Sequence, residues 1–196
     1  MSMPVVRQRR WTREDVDRLI DERPGLTPRY ELVDGELLVT PAPSHRHQRL
    51  VFQLALRLSP YLARHPLGEI FLGPSELRLA EGERYEPDLF VIPTADGRRP
   101  TVSDAIMKPL LVCESISPGS SRHDRITKRR SFQRNLVPDY WIIDGDAQAF
   151  EIWRPSDERP ALVDDRLVWH PPGAVEAFEL DVAEYFASVE DGAPLG

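Results

Sequence analysis

The chain has 196 residues, 41% hydrophobic and 29% charged, with 32 acidic side chains against 25 lysines and arginines and a net charge of −7. That length suits one domain with a sizeable core, and no run approaches the roughly 18 apolar residues that span a bilayer. The acidic balance argues against a surface coated in nucleic acid by bulk electrostatics, and the single cysteine, Cys113, excludes an internal disulfide.

Residues 1–11 read as a flexible basic tail without the apolar stretch of a secretory signal, so a cytoplasmic, reducing location is expected, with one domain over 12–188 and a loose end at 189–196. Thr12 followed by Asp15 is a capping-box-like start for a short helix through about Asp21. Tyr30–Val33 and Glu36–Val39 flank Asp34-Gly35, a strong signal for a hairpin with a type I′ turn. Ser44 predicts the cap of a helix to about Arg64, with Leu50, Val51, Leu54, Leu58 and Leu62 at helical spacing and a kink or restart at Pro60. His47 falls on its inward face, where a lone histidine is more often a satisfied core residue than a catalytic one.

Strands are expected at Glu69–Leu72, Glu76–Leu79 and Tyr85–Ile92, the last entering the sheet at about Asp88 because Pro87 lacks a donor. Residues 94–109 read as a polar excursion. Leu110–Ile116 is an apolar, β-branched run in which Glu114 shares a face with Val112 and Ile116, a costly place for a carboxylate unless something pairs with it. A helix follows over about His123–Asn135, then a buried strand Tyr140–Asp144. Ala149–Trp153 and Arg166–Trp169 read as its antiparallel continuation, and Asp181 caps a last helix through about Phe186. The order implies a mixed α+β fold, a central mixed sheet flanked by helices.

Two segments are locally basic. Residues 44–68 hold no acid but include Arg46, Arg49, Arg57 and Arg64, and residues 122–134 set Arg122, Arg125, Lys128, Arg129, Arg130 and Arg134 against Asp124 alone. Together they could form a phosphate-facing groove; each could equally be a solvated helix face. Asp88, Glu114, Glu31 and Lys128 stand out as chemistry-bearing. Carboxylates on neighbouring strands repel one another when dry, and a hard divalent cation removes that repulsion. A nearby lysine could then orient a water or neutralise developing charge, which suggests phosphodiester hydrolysis. The blander alternative pairs Glu114 with Lys128 in a purely structural bridge.

Pro87-Asp88, Glu114-Ser115-Ile116-Ser117-Pro118, Asp124-Arg125-Ile126-Thr127-Lys128 and Val137-Pro138-Asp139-Tyr140-Trp141-Ile142-Ile143-Asp144 are the motifs of a family resemblance. With Tyr30-Glu31-Leu32-Val33-Asp34-Gly35 and His47 upstream, the sequence resembles the Uma-two group of putative restriction endonucleases, within the PD-(D/E)xK nuclease superfamily, over about residues 28–186. The resemblance implies a restriction-endonuclease-like core and Mg²⁺ or Mn²⁺ held by Asp88 and Glu114. It makes Glu31 a further acidic ligand or the holder of a metal-bound water, and it supplies the lysine, Lys128, from the helix after the strand, since Ile116 stands two residues beyond Glu114. The implied substrate is DNA, a homodimer would suit duplex cleavage, and His47, Arg46, Arg122, Arg125 and Arg129 are candidate nucleic-acid contacts. The sequence departs from the family at Phe132 and Leu136, where tyrosine and glycine are usual, and at Asp139, where glutamate is usual. A module that binds nucleic acid without turnover is the alternative from another class.

Overall fold

Thr12 caps α1 (Arg13–Glu22) in a reciprocal box with Asp15, as the spacing predicts. The computed structural model describes residues 10–25, 27–95, 98, 106–117 and 119–190. Of the expected tail, residues 1–9 lie outside this set, whereas the Trp11 amide donates to the Gly35 carbonyl at 2.9 Å and its ring packs beside Val16, Tyr30 and Leu32. Residues 191–196 of the expected loose end also lie outside it. The hairpin of β1 (Arg29–Val33) and β2 (Glu36–Thr40) turns through Asp34 at φ 55° and Gly35 at φ 75°, the double positive φ that the Asp-Gly pair anticipates. It forms its own two-stranded sheet and is tied down by two backbone hydrogen bonds between Leu32 and Arg84.

The Ser44 hydroxyl accepts from the His47 amide at the start of α2 (His45–Arg64), which buries Leu50, Leu54, Leu58, Tyr61 and Leu62. The helix runs through Pro60 as one element rather than restarting there. Pro60 and Leu56, whose carbonyl the proline leaves without a helical donor, are both exposed, so water can satisfy that carbonyl.

Among the described residues the central sheet has six strands in the order β3 (Gly68–Leu72), β4 (Leu89–Pro93), β5 (Leu111–Ser115), β6 (Tyr140–Asp144), β7 (Ala149–Trp153) and β8 (Ala161–Val163). Only β5 and β6 run parallel, so the sheet is mixed, as expected. Alternation divides its side chains between two cores. Leu89, Val91, Leu111, Cys113, Trp141 and Ile143 face α2 and the C-terminal elements. Phe90, Ile92, Val112, Tyr140 and Ile142 face Val33 and Leu38 of the hairpin and Phe132 of α3 (Arg129–Arg134). Glu114 is on this second face.

Two expectations are corrected. Glu76–Leu79 is not a strand: Leu77 makes only an isolated bridge to Tyr85, while Glu76 is drawn into ion pairs with Arg13, Arg78 and Arg84. The run from Tyr85 enters the sheet at Leu89, within one residue of the position that Pro87 predicts. Arg166–Trp169 (β9) does not continue the central sheet. It pairs with β10 (Phe178–Asp181), turning Leu167 and Trp169 into the core beneath α2, while the short β8 takes the sheet edge. The helix expected over about His123–Asn135 forms, with a π-helical turn, His123–Lys128, set ahead of α3. Much of the 94–109 excursion lies outside the described residues. Asp181 caps α4 (Val182–Ala187), accepting from the Glu184 amide at 2.8 Å.

Candidate active site

The antiparallel register of β4 and β5 pairs Leu89 with Cys113, so Asp88, one residue before β4, comes opposite Glu114. The Asp88 amide donates to Glu114 Oε2 at 3.4 Å, and the Ser115 amide donates to Asp88 Oδ2 at 2.9 Å. Two carboxylates are thereby fixed side by side on rigid backbone, 5% and 3% exposed. From the hairpin, Glu31 reaches the same place, 1% exposed, its Oε1 accepting from the Glu86 amide at 2.8 Å.

Lys128 arrives from the π-helical turn. Its Nζ lies 2.7 Å from Glu114 Oε1, 2.7 Å from Glu31 Oε2 and 3.4 Å from Asp124 Oδ1. The wide turn is closed by the Arg129 amide donating to the Asp124 carbonyl five residues back, and both Asp124 and Lys128 face inward from it. π-Helical insertions recur at functional sites.

Asp88 is clamped from the other side. Arg29 Nη1 donates to Asp88 Oδ1 at 2.8 Å and to the Glu86 carbonyl at 3.1 Å, and His47 Nε2 lies 3.0 Å from Asp88 Oδ2. These groups surround a pocket of about 190 Å³ whose walls include Asp88, Glu114, Ser115, Asp124, Lys128 and His47.

Burial works to raise the Asp88 pKa, but the hydrogen bond and charge of His47, Arg29 and the Ser115 amide outweigh it and hold the carboxyl well below the usual carboxylate range. Burial pushes Glu114 up; Lys128 opposes the rise, and Asp88, Asp124 and Glu31 add to it. Asp124 is also raised, chiefly by burial. Burial would lower Lys128, yet Glu114, Glu31 and Asp124 more than reverse this and keep it cationic. The cluster thus sets four buried carboxylates, Glu31, Asp88, Glu114 and Asp124, against two fixed cations, Lys128 and Arg29, with His47 at the margin.

The structure therefore brings Asp88, Glu114, Lys128, Glu31 and His47 together. It places most of the predicted basic contacts elsewhere. Arg46 donates to Asp146 and to the Gly145 carbonyl, Arg125 to Asp144 and Glu151, and Arg129 lies over the Trp153 ring. Arg122 is exposed ahead of the π-helical turn. Three site residues escaped the sequence reading. Arg29 stands two residues before Glu31 on one strand, so period two places both on one face and could have revealed it. Asp124 opens the Asp124–Lys128 motif and stands four residues before Lys128, but no role at the site was expected of it. Ser115 has a buried hydroxyl without a hydrogen-bond partner among the described residues.

Among the described residues, no three acidic, histidine or cysteine side chains converge as a ready-made cage for a divalent cation. Both Glu31 oxygens are engaged by protein donors, the Glu86 amide and Lys128. Asp88 and Glu114 also accept from protein donors on both oxygens, but unlike Glu31 they line the pocket, so they are the pair that a cation entering it would meet. Magnesium is commonly bound through one or two carboxylates, completing its shell with water and substrate phosphates.

The model of the family Uma2, described as "Putative restriction endonuclease", matches residues 13–183. Among curated proteins, the chain is 28% identical to Uncharacterized protein sll1609 of Synechocystis sp. over 140 residues, 70% of this chain and 78% of that one. It is 26% identical to Uncharacterized protein slr1290 of the same organism, across 69% of this chain and 70% of that one. Its fold is similar to the crystal structure of a putative nuclease belonging to DUF820 from Anabaena variabilis, with a TM-score of 0.67, 21% identity, and coverage of 87% of this chain and 97% of that one.

Proposed function

The chain belongs to the Uma2 family of putative restriction endonucleases, and from that premise we propose that it is a metal-dependent endonuclease hydrolysing phosphodiester bonds of DNA. The observation that carries the reading is the meeting of Asp88 and Glu114 across neighbouring strands, with Lys128 Nζ 2.7 Å from Glu114 Oε1. Asp88 and Glu114 would hold Mg²⁺ or Mn²⁺, which when bound activates water and neutralises phosphoryl charge. Glu31 and Asp124 keep Lys128 charged and aimed at the Glu114 carboxylate. Lys128 in turn offers a donor to a water or phosphoryl oxygen entering the pocket. His47 and Arg29 keep Asp88 ionised, so its carboxylate is available as a ligand at neutral pH.

Purified protein mixed with plasmid DNA and Mg²⁺ or Mn²⁺ tests this. Cleavage is expected for the wild type and its loss for Asp88→Ala and Glu114→Ala; cleavage that survives both substitutions would overturn the assignment. A second reading draws on the fact that protein donors already occupy both Asp88 oxygens. A nucleic-acid-binding module without turnover would show metal-independent binding that weakens steeply with salt, and no product.

A further inference from the structure

A groove of about 500 Å³ opens beside the carboxylate pocket. The two share Arg29, Ala42, Pro43, His47 and Asp88, so they form one continuous surface. The groove's walls differ in character from the pocket's. Arg29 and His47 line both the groove and the pocket, whereas Val51, Phe52, Leu72 and Pro74 line the groove alone of the two.

Two observations point to an occupant. Phe52 is 55% exposed and Leu72 43% exposed on the groove wall, while Leu50, Leu54 and Leu58 of α2 turn into the core and Leu56, also exposed, does not line the groove. The Arg29 side chain is nine-tenths buried, and its Nε has no hydrogen-bond partner among the described residues. A buried donor left unpaired is costly, so a small shift of Arg29 that brings it to an acceptor on a ligand would be favoured. Asp88 is the one acid among the described lining residues, and its carboxylate is already taken by Arg29 and His47.

Cationic and aromatic side chains in one groove match the two halves of a nucleotide. We propose that the groove is a nucleotide subsite: it takes one unpaired nucleotide of a single-stranded DNA segment beside the bond to be cut, with the phosphate at Arg29 and His47 and the base on Phe52. A base within a duplex has both faces covered by its neighbours and offers Phe52 no free surface, whereas an unstacked base does. The volume lies within the range of sites for one small ligand. This deepens the nuclease reading and rests on it for the position of the scissile phosphate.

The test is binding, not cleavage. A short single strand carrying 2-aminopurine is titrated with the full chain by fluorescence and anisotropy, once in EDTA and once in Ca²⁺, beside a blunt duplex of the same sequence. The wild type is expected to change the probe's emission and to bind the single strand more tightly than the duplex. Phe52→Ala should weaken single-strand binding about tenfold, and Phe52→Tyr should restore it. Unfolding midpoints of the three proteins should coincide, because residue 52 lies outside the core. Equal single-strand affinity for wild type and Phe52→Ala in both conditions, no single-strand binding in either, or a preference for blunt duplex would each overturn the subsite. Loss of plasmid cleavage as a general finding, with Phe52-dependent binding intact, would count against the nuclease reading alone.

Discussion

Lys128 and Glu114, fourteen residues apart, meet at 2.7 Å between the π-helical turn and β5, where each is almost completely buried. Their meeting accounts for a carboxylate inside an apolar strand. It does not neutralise the cluster, because Glu31 and Asp124 draw on the same ammonium.

Removing that ammonium leaves three buried carboxylates without their shared cation. Lys128→Met is expected to lower the unfolding free energy by about 3–5 kcal/mol. Urea denaturation checks this, and Mg²⁺ should stabilise Lys128→Met more than the wild type, since the extra uncompensated charge favours a cation bound only by the folded state.

Leu136 sits at φ +56°, just after α3, where the Leu136 amide donates to the Gln133 carbonyl and the Val137 amide to the Phe132 carbonyl. That is a Schellman ending with a leucine in the left-handed position that glycine usually fills. The departure noted in the sequence thus has a backbone cost, and the Leu136 side chain is 71% exposed. Leu136→Gly should stabilise the protein by up to about 1 kcal/mol. A rise in Tm of roughly 2–4 °C for a chain of this size is the expected reading.

Gly73 lies against the segment that carries Asp88. A Cβ there would stand 2.8 Å from the Pro87 carbonyl oxygen, 3.4 Å from Arg29 Nη1 and 3.6 Å from Asp88 Cα. Backbone must shift to admit it, so Gly73→Ala should cost about 1–3 kcal/mol and reduce cleavage by displacing Asp88 from Glu114. Calorimetry and the plasmid assay measure the two effects separately.

Asp144 accepts from the Ala147 and Asp146 amides and pairs with Arg125 at 2.6 Å. Burial acts to raise its pKa, but these partners prevail and lower it. A carboxyl depressed by folding contributes stability above its unfolded pKa of about 3.9, and that contribution fades as pH falls through the folded value. The stability gap between wild type and Asp144→Asn should therefore be full at pH 7 and close below about pH 4. A gap constant from pH 7 to pH 3 would remove this ionisation from the account.

Much of the fold was legible because local chemistry and tertiary structure agree. Thr12 with Asp15, Asp34-Gly35, Ser44 and Asp181 mark ends and turns that form as their side chains dictate. Where partners lie far away in sequence, the reading failed. Glu76 could not reveal that Arg13, 63 residues away, would join Arg78 and Arg84 in ion pairs on it, nor could Leu167 and Trp169 show which sheet they would join. The acids and Lys128 were legible from their motifs and from the cost of burying Glu114. Arg29 was not, because its role depends on β1 passing over the start of β4. The basic segments did not show which arginines have partners, because counting charges cannot; Arg46 and Arg125 are engaged with acids more than eighteen residues away.

The central claim is that Asp88 and Glu114 are metal ligands. Crystals soaked in Mn²⁺ and measured for anomalous scattering address it without knowledge of the substrate. The account predicts a manganese peak within coordination distance of one oxygen from each carboxylate, lost in Asp88→Ala. Full manganese occupancy at other carboxylates, with no peak between Asp88 and Glu114 and with Lys128 and Arg29 still closed on them, would contradict it.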